Sequence, residues 1–271
     1  MTRLLGCDFS SSPSQRKSIV LSWGAWRDRR LVLETLQPCI SLDAFEQALH
    51  TPGPWVGGFD LPFGLPRELI TSLQWPLTWK ACIDQYSSLS REHIRDTFKA
   101  FCDARPTGGK FAHRATDIPA GSSPSMKWVN PPVAYMLHAG VPRMLQAGLD
   151  FPGLYRGDEQ RVALEAYPGW LARKLVGSRS YKSDDKAKQN SERLIARKDI
   201  LQALVSGQVG VTLYLRPAQH DALVADASGD KLDAVLCMVQ AAMAQQRHAA
   251  GETPYGLPAD MDALEGWIIG V

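Results

Sequence analysis

The chain has 271 residues, with 30 Lys and Arg against 28 Asp and Glu, 45% hydrophobic and 21% charged. That balance belongs to a folded globular protein and excludes a disordered tail, a collagen-like fibre and a small disulfide scaffold. A net charge of +2 also excludes nucleic-acid binding by overall basicity, and the length allows one large domain or two small ones.

The N-terminal stretch Met1 to Ser12 has a short apolar run that Asp8 interrupts, so no secretory leader is expected. No stretch approaches the ~18 apolar residues of a membrane span. The five cysteines, Cys7, Cys39, Cys82, Cys102 and Cys237, form no C-x-x-C, and the six histidines are scattered. Neither zinc nor a redox motif is indicated, and reduced thiols in a cytoplasmic protein are expected.

Arg3 to Ser10 reads as a first strand, with Leu4, Gly6, Asp8 and Ser10 on one face and Leu5, Cys7 and Phe9 on the other. Lys17 to Trp23 and Arg30 to Leu36 follow as second and third strands, and the short connections favour antiparallel pairing. Ser41 is placed to cap a helix over Leu42 to His50. Pro54 to Phe63 is a fourth strand, ending in Asp60-Leu61-Pro62-Phe63-Gly64 and free to lie parallel to the first.

Residues 65–160 change character and read as an insertion within a single domain spanning 1–271. Helices are predicted at Pro66 to Leu73, Trp79 to Ser87, Arg91 to Asp103 and Pro132 to Ala147, with a long loop from Ala104 to Asn130. Loops beyond ~12–15 residues in a compact domain are usually functional or mobile. Arg161 to Tyr167 then makes a fifth strand, with helices at Gly169 to Val176, Ser191 to Ser206 and Ser228 to His248, and an edge strand at Leu264 to Val271. The expected fold class is α/β, a mixed five-stranded sheet flanked by helices.

Five acids stand out: Asp8 in the first strand, Asp60 at the end of the fourth, Glu165 inside the fifth, and Asp230 and Asp233 on the last helix. A carboxylate in an apolar strand is costly to bury unless it is paired or holds a cation. Singly, each has an ordinary reading: Asp60 as a turn former, Glu165 as half of a buried salt bridge, Asp230 as an acid in a first helical turn. Together they fit one site, with Asp8 and Asp60 at neighbouring strand ends and the last helix beside them. Oxygen ligands without His or Cys suit Mg²⁺ or Mn²⁺. A carboxylate cluster of that kind serves two-metal hydrolysis of a phosphodiester.

Four stretches carry a resemblance: Gly6-Cys7-Asp8-Phe9-Ser10, Gly58-Phe59-Asp60-Leu61-Pro62-Phe63-Gly64, Leu164-Glu165-Ala166-Tyr167-Pro168 and Gly229-Asp230-Lys231-Leu232-Asp233-Ala234. The set resembles the bacterial and archaeal domain-of-unknown-function 429 family, described as predicted RNase H-like nucleases, and the RuvC type among those folds. The resemblance implies an RNase H-like sheet and a metal site. The insertion after Asp60 departs from RuvC.

The charge is unevenly distributed. Arg173 to Lys198 holds nine Lys and Arg against three acids, while His220 to Val271 holds eight acids against two bases. A basic strip after the Glu165 strand can follow phosphates, or simply be a solvated helical surface. Lys182 is the leading candidate for a substrate-binding cation. On the long loop, Arg114 and Lys127 are candidates to reach a phosphate on closure, and Trp128 to stack on a base.

The expected function is therefore that of a Mg²⁺- or Mn²⁺-dependent nuclease or phosphodiesterase. Asp8, Asp60, Glu165 and Asp233 would be its ligands, Asp230 would assist, and nucleic acid would be the partner. One alternative is a catalytically inactive RNase H-like binding or scaffold protein. Another is an ATP-dependent phosphotransferase of the actin-like type, which would need a second copy of the core and a Gly-rich phosphate loop. Nothing in the sequence chooses between a monomer and a homodimer.

Overall fold

Alternation along the first strand sets which side chains enter which layer. The computed structural model describes residues 2–106 and 108–271; Met1, and Thr107 within the expected long loop, lie outside the described residues. In β1 (Arg3–Asp8), Leu5 and Cys7 enter one hydrophobic core and Leu4 enters the other, so the strand is buried on both faces. β2 (Ile19–Arg27) and β3 (Arg30–Cys39) extend the sheet antiparallel. Their two-residue turn places Asp28 and Arg29 at φ 48° and 63°, the left-handed geometry that matches the twist of a hairpin. After α1 (Leu42–Leu49), capped by the Ser41 hydroxyl accepting from the Ala44 N–H at 3.1 Å, β4 (Trp55–Asp60) returns parallel to β1.

Five helices follow: α2 (Arg67–Ser72), α3 (Trp79–Ser87), α4 (Arg91–Asp103), the short α5 (Asp117–Ala120) and α6 (Val133–Gln146). Leu69, Trp79, Tyr86, Phe98 and Leu137 from these helices share one core with Leu5, Phe45 and Phe59. The segment is thus packed on the sheet and has no core of its own. β5 (Leu149–Asp150) and β6 (Asp158–Glu165) complete that side of the sheet. Then come α7 (Pro168–Val176), α8 (Ser191–Val205), β7 (Thr212–Tyr214), α9 (Pro217–Ala225) and α10 (Asp230–Ala249), whose helices fill the opposite core.

The sheet has seven strands in the order β5-β6-β4-β1-β2-β3-β7, which corrects the expected five. The two additional strands are the edges, only two and three residues long, too short for an alternating pattern to declare them. The edge strand expected at Leu264 to Val271 reduces to one parallel bridge between Ile268 and Glu165. Helix α9 is absent from the sequence expectation, and so is α5, which interrupts the expected loop from Ala104 to Asn130. All five cysteines are buried and unpaired. Among the described residues, no helix is long and apolar enough to cross a membrane.

Two glycines fix where α10 lies. A Cβ on Gly6 would stand 2.0 Å from the Ala234 carbonyl oxygen, and one on Gly58 would stand 2.4 Å from that of Cys237. These residues pair across β1 and β4, so the helix backbone rests directly on the sheet. The Ser22 hydroxyl donates to the same Ala234 carbonyl at 2.8 Å. Gly6→Ala is expected to cost about 3 kcal/mol, because a backbone oxygen cannot rotate away from an inserted methyl. Urea unfolding measures it; a loss under ~1 kcal/mol would show that α10 can lift at little cost.

Candidate functional site

The close approach of α10 has a chemical result. Gly6 and Asp8 share a face of β1, Gly58 and Asp60 share a face of β4, and the α10 backbone lies over that face. Asp8 and Asp60 are register partners on adjacent parallel strands. Asp233 sits in the first turn of α10 and is fully buried, while Asp8 is 9% exposed and Asp60 half-buried. The structure therefore brings Asp8, Asp60 and Asp233 together.

Burial first, then the neighbouring carboxylates, drives these acids toward their neutral forms. Asp8 is held well above the usual carboxylate range by burial, with Asp233, Asp60 and Asp230 adding repulsion against the opposing field of Lys182. Asp60 is pushed up to about 7 by burial; Lys182 opposes this, and Asp233 and Glu165 add to it. Asp233 is raised by burial despite Lys182 and Tyr181. The Lys182 ammonium contacts the Asp233 carboxylate, and the Tyr181 hydroxyl donates to the other Asp233 oxygen at 2.5 Å. Burial lowers the Lys182 pKa, but Asp233, Tyr181, Asp8 and Asp60 outweigh it and hold the ammonium well above its ordinary value. The cluster thus carries three acids and one cation.

Asp230 lies at the edge of this group. Its carboxylate accepts from the Lys17 ammonium at 2.7 Å, and the same ammonium reaches Asp184 at 2.8 Å. With the Ser183 N–H on the Ala227 carbonyl at 3.1 Å, this pins the segment carrying Tyr181 and Lys182 against the start of α10. Lys17 and Tyr181 were missed in the sequence. Tyr181 adjoins Lys182, but nothing in its composition marks a hydroxyl aimed at Asp233.

Glu165 does not join the three aspartates. On β6, Val162 and Leu164 enter the α10-side core and Ala163 the other, so alternation sends Glu165 to the insertion side. There Arg114 donates to both of its oxygens, at 2.6 and 2.8 Å, and the Phe63 N–H adds 2.9 Å. Asp117, also fully buried, accepts two further Arg114 N–H groups, and the Glu265 carbonyl takes the fifth. Arg114 is 2% exposed with all five N–H groups engaged, which leaves none for the substrate phosphate that the sequence assigned to it. Glu165 is still raised, because burial outweighs Arg114 and the Phe63 N–H. Through the Phe63 N–H it holds the turn that follows Asp60.

Two other expected contacts lie elsewhere. Trp128 is half-buried, packed against the core and edge-on to Phe111 at 5.5 Å. Lys127 is half-buried beside it, with its backbone carbonyl accepting from Ala134 at 2.9 Å. Neither lines the cavity of about 270 Å³ that opens beside the aspartates, whose wall includes Asp60, Lys182, Leu61, Val133, Met136 and Tyr167. Among the described residues, no three His, Cys, Asp or Glu side chains stand arranged to hold a metal ion; the cation shared by the aspartates is Lys182. No protein-family model, curated protein or solved structure matches the chain.

Proposed function

We propose that this protein is a divalent-metal-dependent hydrolase of phosphodiester bonds, a nuclease on an RNase H-like core. The reading rests on one observation above all: two in-register strand aspartates, Asp8 buried and Asp60 half-buried, lie with the buried helix aspartate Asp233 in the field of a single ammonium, which contacts Asp233. The strand order β6-β4-β1-β2-β3, antiparallel through β3 and parallel beyond β1, supports the RNase H-like assignment, with β5 and β7 as additions at the edges.

By chemistry alone the donors suit Mg²⁺ or Mn²⁺, being hard oxygens with an excess of negative charge, although their side chains are not gathered around one point and Lys182 stands on Asp233. Asp8, Asp60 and Asp233 would hold the metal, and Glu165, engaged by Arg114, leaves the ligand set. A divalent ion there supplies Lewis acidity and neutralises phosphate charge. Tyr181 orients Asp233, and Lys182 would exchange its contact with Asp233 for a phosphate oxygen of the substrate.

The test is cleavage of single-stranded, structured and hybrid nucleic acids in Mg²⁺ or Mn²⁺, comparing wild type with Asp8→Asn. Activity is expected to fall more than about a hundredfold, since even outer partners of metal ligands are worth ~10–100-fold. Equal cleavage by both proteins would sink the reading.

The Lys182–Asp233 contact favours one rival, a scaffold in which Lys182 is a permanent counter-ion. Calorimetry on Lys182→Met separates the two. The hydrolase reading expects Mn²⁺ to bind roughly tenfold more tightly than to wild type, about 1.4 kcal/mol of removed repulsion. The scaffold reading expects no saturable site in either protein.

A further inference from the structure

The cavity beside the aspartates carries information about the substrate. Asp60 and Lys182 stand in its wall, so the cavity offers room for a group adjoining a phosphate at Lys182. The remaining wall is largely apolar: Leu61, Pro62, Val133, Met136 and Ile268. Arg114 and Glu165 also border it, but they saturate each other and offer no free charge for a second phosphate.

Tyr167 adds an aromatic side chain, a ring that already carries the Arg173 guanidinium 5.4 Å from its centroid, and aromatic rings are the surfaces on which bases stack; Ser122 and Ser123 add hydroxyls. The Ser122 hydroxyl is already turned onto Asp117, at 3.2 Å from its carboxylate, while half-buried Ser123 stands beside it. The volume of about 270 Å³ lies at the small end of ligand sites, enough for one flat ring system and not for a base pair.

We infer that this cavity receives one unpaired nucleobase next to the phosphate to be cleaved, so that the substrate is single-stranded or carries an extruded nucleotide. The inference rests on the hydrolase reading above. A stacked base inside a duplex cannot enter; extruding it costs pairing and stacking, and an already unpaired base avoids that cost. The protein therefore selects strand state through an apolar pocket, and overall basicity plays no part.

The experiment is fluorescence anisotropy with a labelled oligonucleotide, presented as a single strand and as a blunt duplex of the same sequence. It is run in Ca²⁺, a hard ion that also takes carboxylate oxygens, with the strand checked intact on a gel. Wild type is expected to bind the single strand at least about tenfold more tightly. Tyr167→Ala, which removes the stacking face, and Val133→Trp, which fills the cavity, should each bring the ratio close to one. A wild-type ratio within about twofold of one overturns the inference; so does a ratio that survives in the folded variants. If Val133→Trp does not fold, Tyr167→Ala decides alone. Calorimetric Mn²⁺ titration of the same wild-type preparation reports separately on the hydrolase reading. A missing metal site would end that reading and leave the strand preference still measurable.

Discussion

Arg114→Met should lower the unfolding free energy by about 3–5 kcal/mol, the cost of breaking a buried ion pair from one side. Arg114, Glu165 and Asp117 are 2%, 3% and 0% exposed, and all five N–H groups of the guanidinium are engaged. Removing it leaves two buried carboxylates with no counter-charge. The damage would spread, because the same network joins four separate segments. Glu165 on β6 holds the Phe63 N–H in the turn after Asp60. Glu265 in the C-terminal segment accepts from Ala115 at 2.8 Å and from Arg67 at 2.8 Å, and the Ile268 N–H meets the Thr116 hydroxyl at 3.1 Å. Arg95→Met supplies the contrast: its ion pairs with Glu92 and Asp96 are exposed, and exposed pairs are worth under ~1 kcal/mol. Urea unfolding of both variants at pH 7 tests the difference. Equal, small losses would show that the fold relaxes around the unpaired carboxylates at little cost.

Much of this arrangement was readable from period-two alternation. The sequence places Gly6 and Asp8 on one face of the first strand, and that face is the one α10 covers. The same rule applied to the fifth strand would have separated Glu165 from the aspartates, since Glu165 shares parity with Ala163 and not with Leu164. The salt-bridge reading of Glu165 describes its surroundings. Asp230 likewise proved to be a first-turn acid paired with a lysine. Contacts distant in sequence left no local trace: Lys17 with Asp184 and Asp230, Arg114 with Glu165. Loop residues such as Trp128 have no periodicity to report whether they face solvent or core, so exposure there had to come from tertiary packing.

The acid cluster also makes stability depend on pH in a direction opposite to that of most carboxylates. Asp60 has a folded-state pKa of about 7 against an ordinary 3.8, so between those values the folded protein keeps a proton that the unfolded chain has released. Stability is then greatest below about pH 4 for this group, falls as pH climbs, and levels off above about 7. Three units at 1.36 kcal/mol each set the scale at about 4 kcal/mol, and Asp8, raised for the same reason, acts in the same direction. Asp60→Asn removes both the proton uptake and one of the repelling charges. At pH 8, in EDTA, its melting temperature is expected to exceed that of wild type by several degrees, at ~2–4 °C per kcal/mol for a chain of this order of size. Added Mn²⁺ should reverse the ranking, raising wild type by mass action while leaving Asp60→Asn nearly unmoved. On the hydrolase reading the cluster is costly without an ion and relieved with one, whereas a purely structural cluster would show no response to Mn²⁺. A variant that responded to Mn²⁺ as strongly as wild type would remove Asp60 from the ligand set, and a flat pH profile would show that the aspartates are already neutralised within the fold.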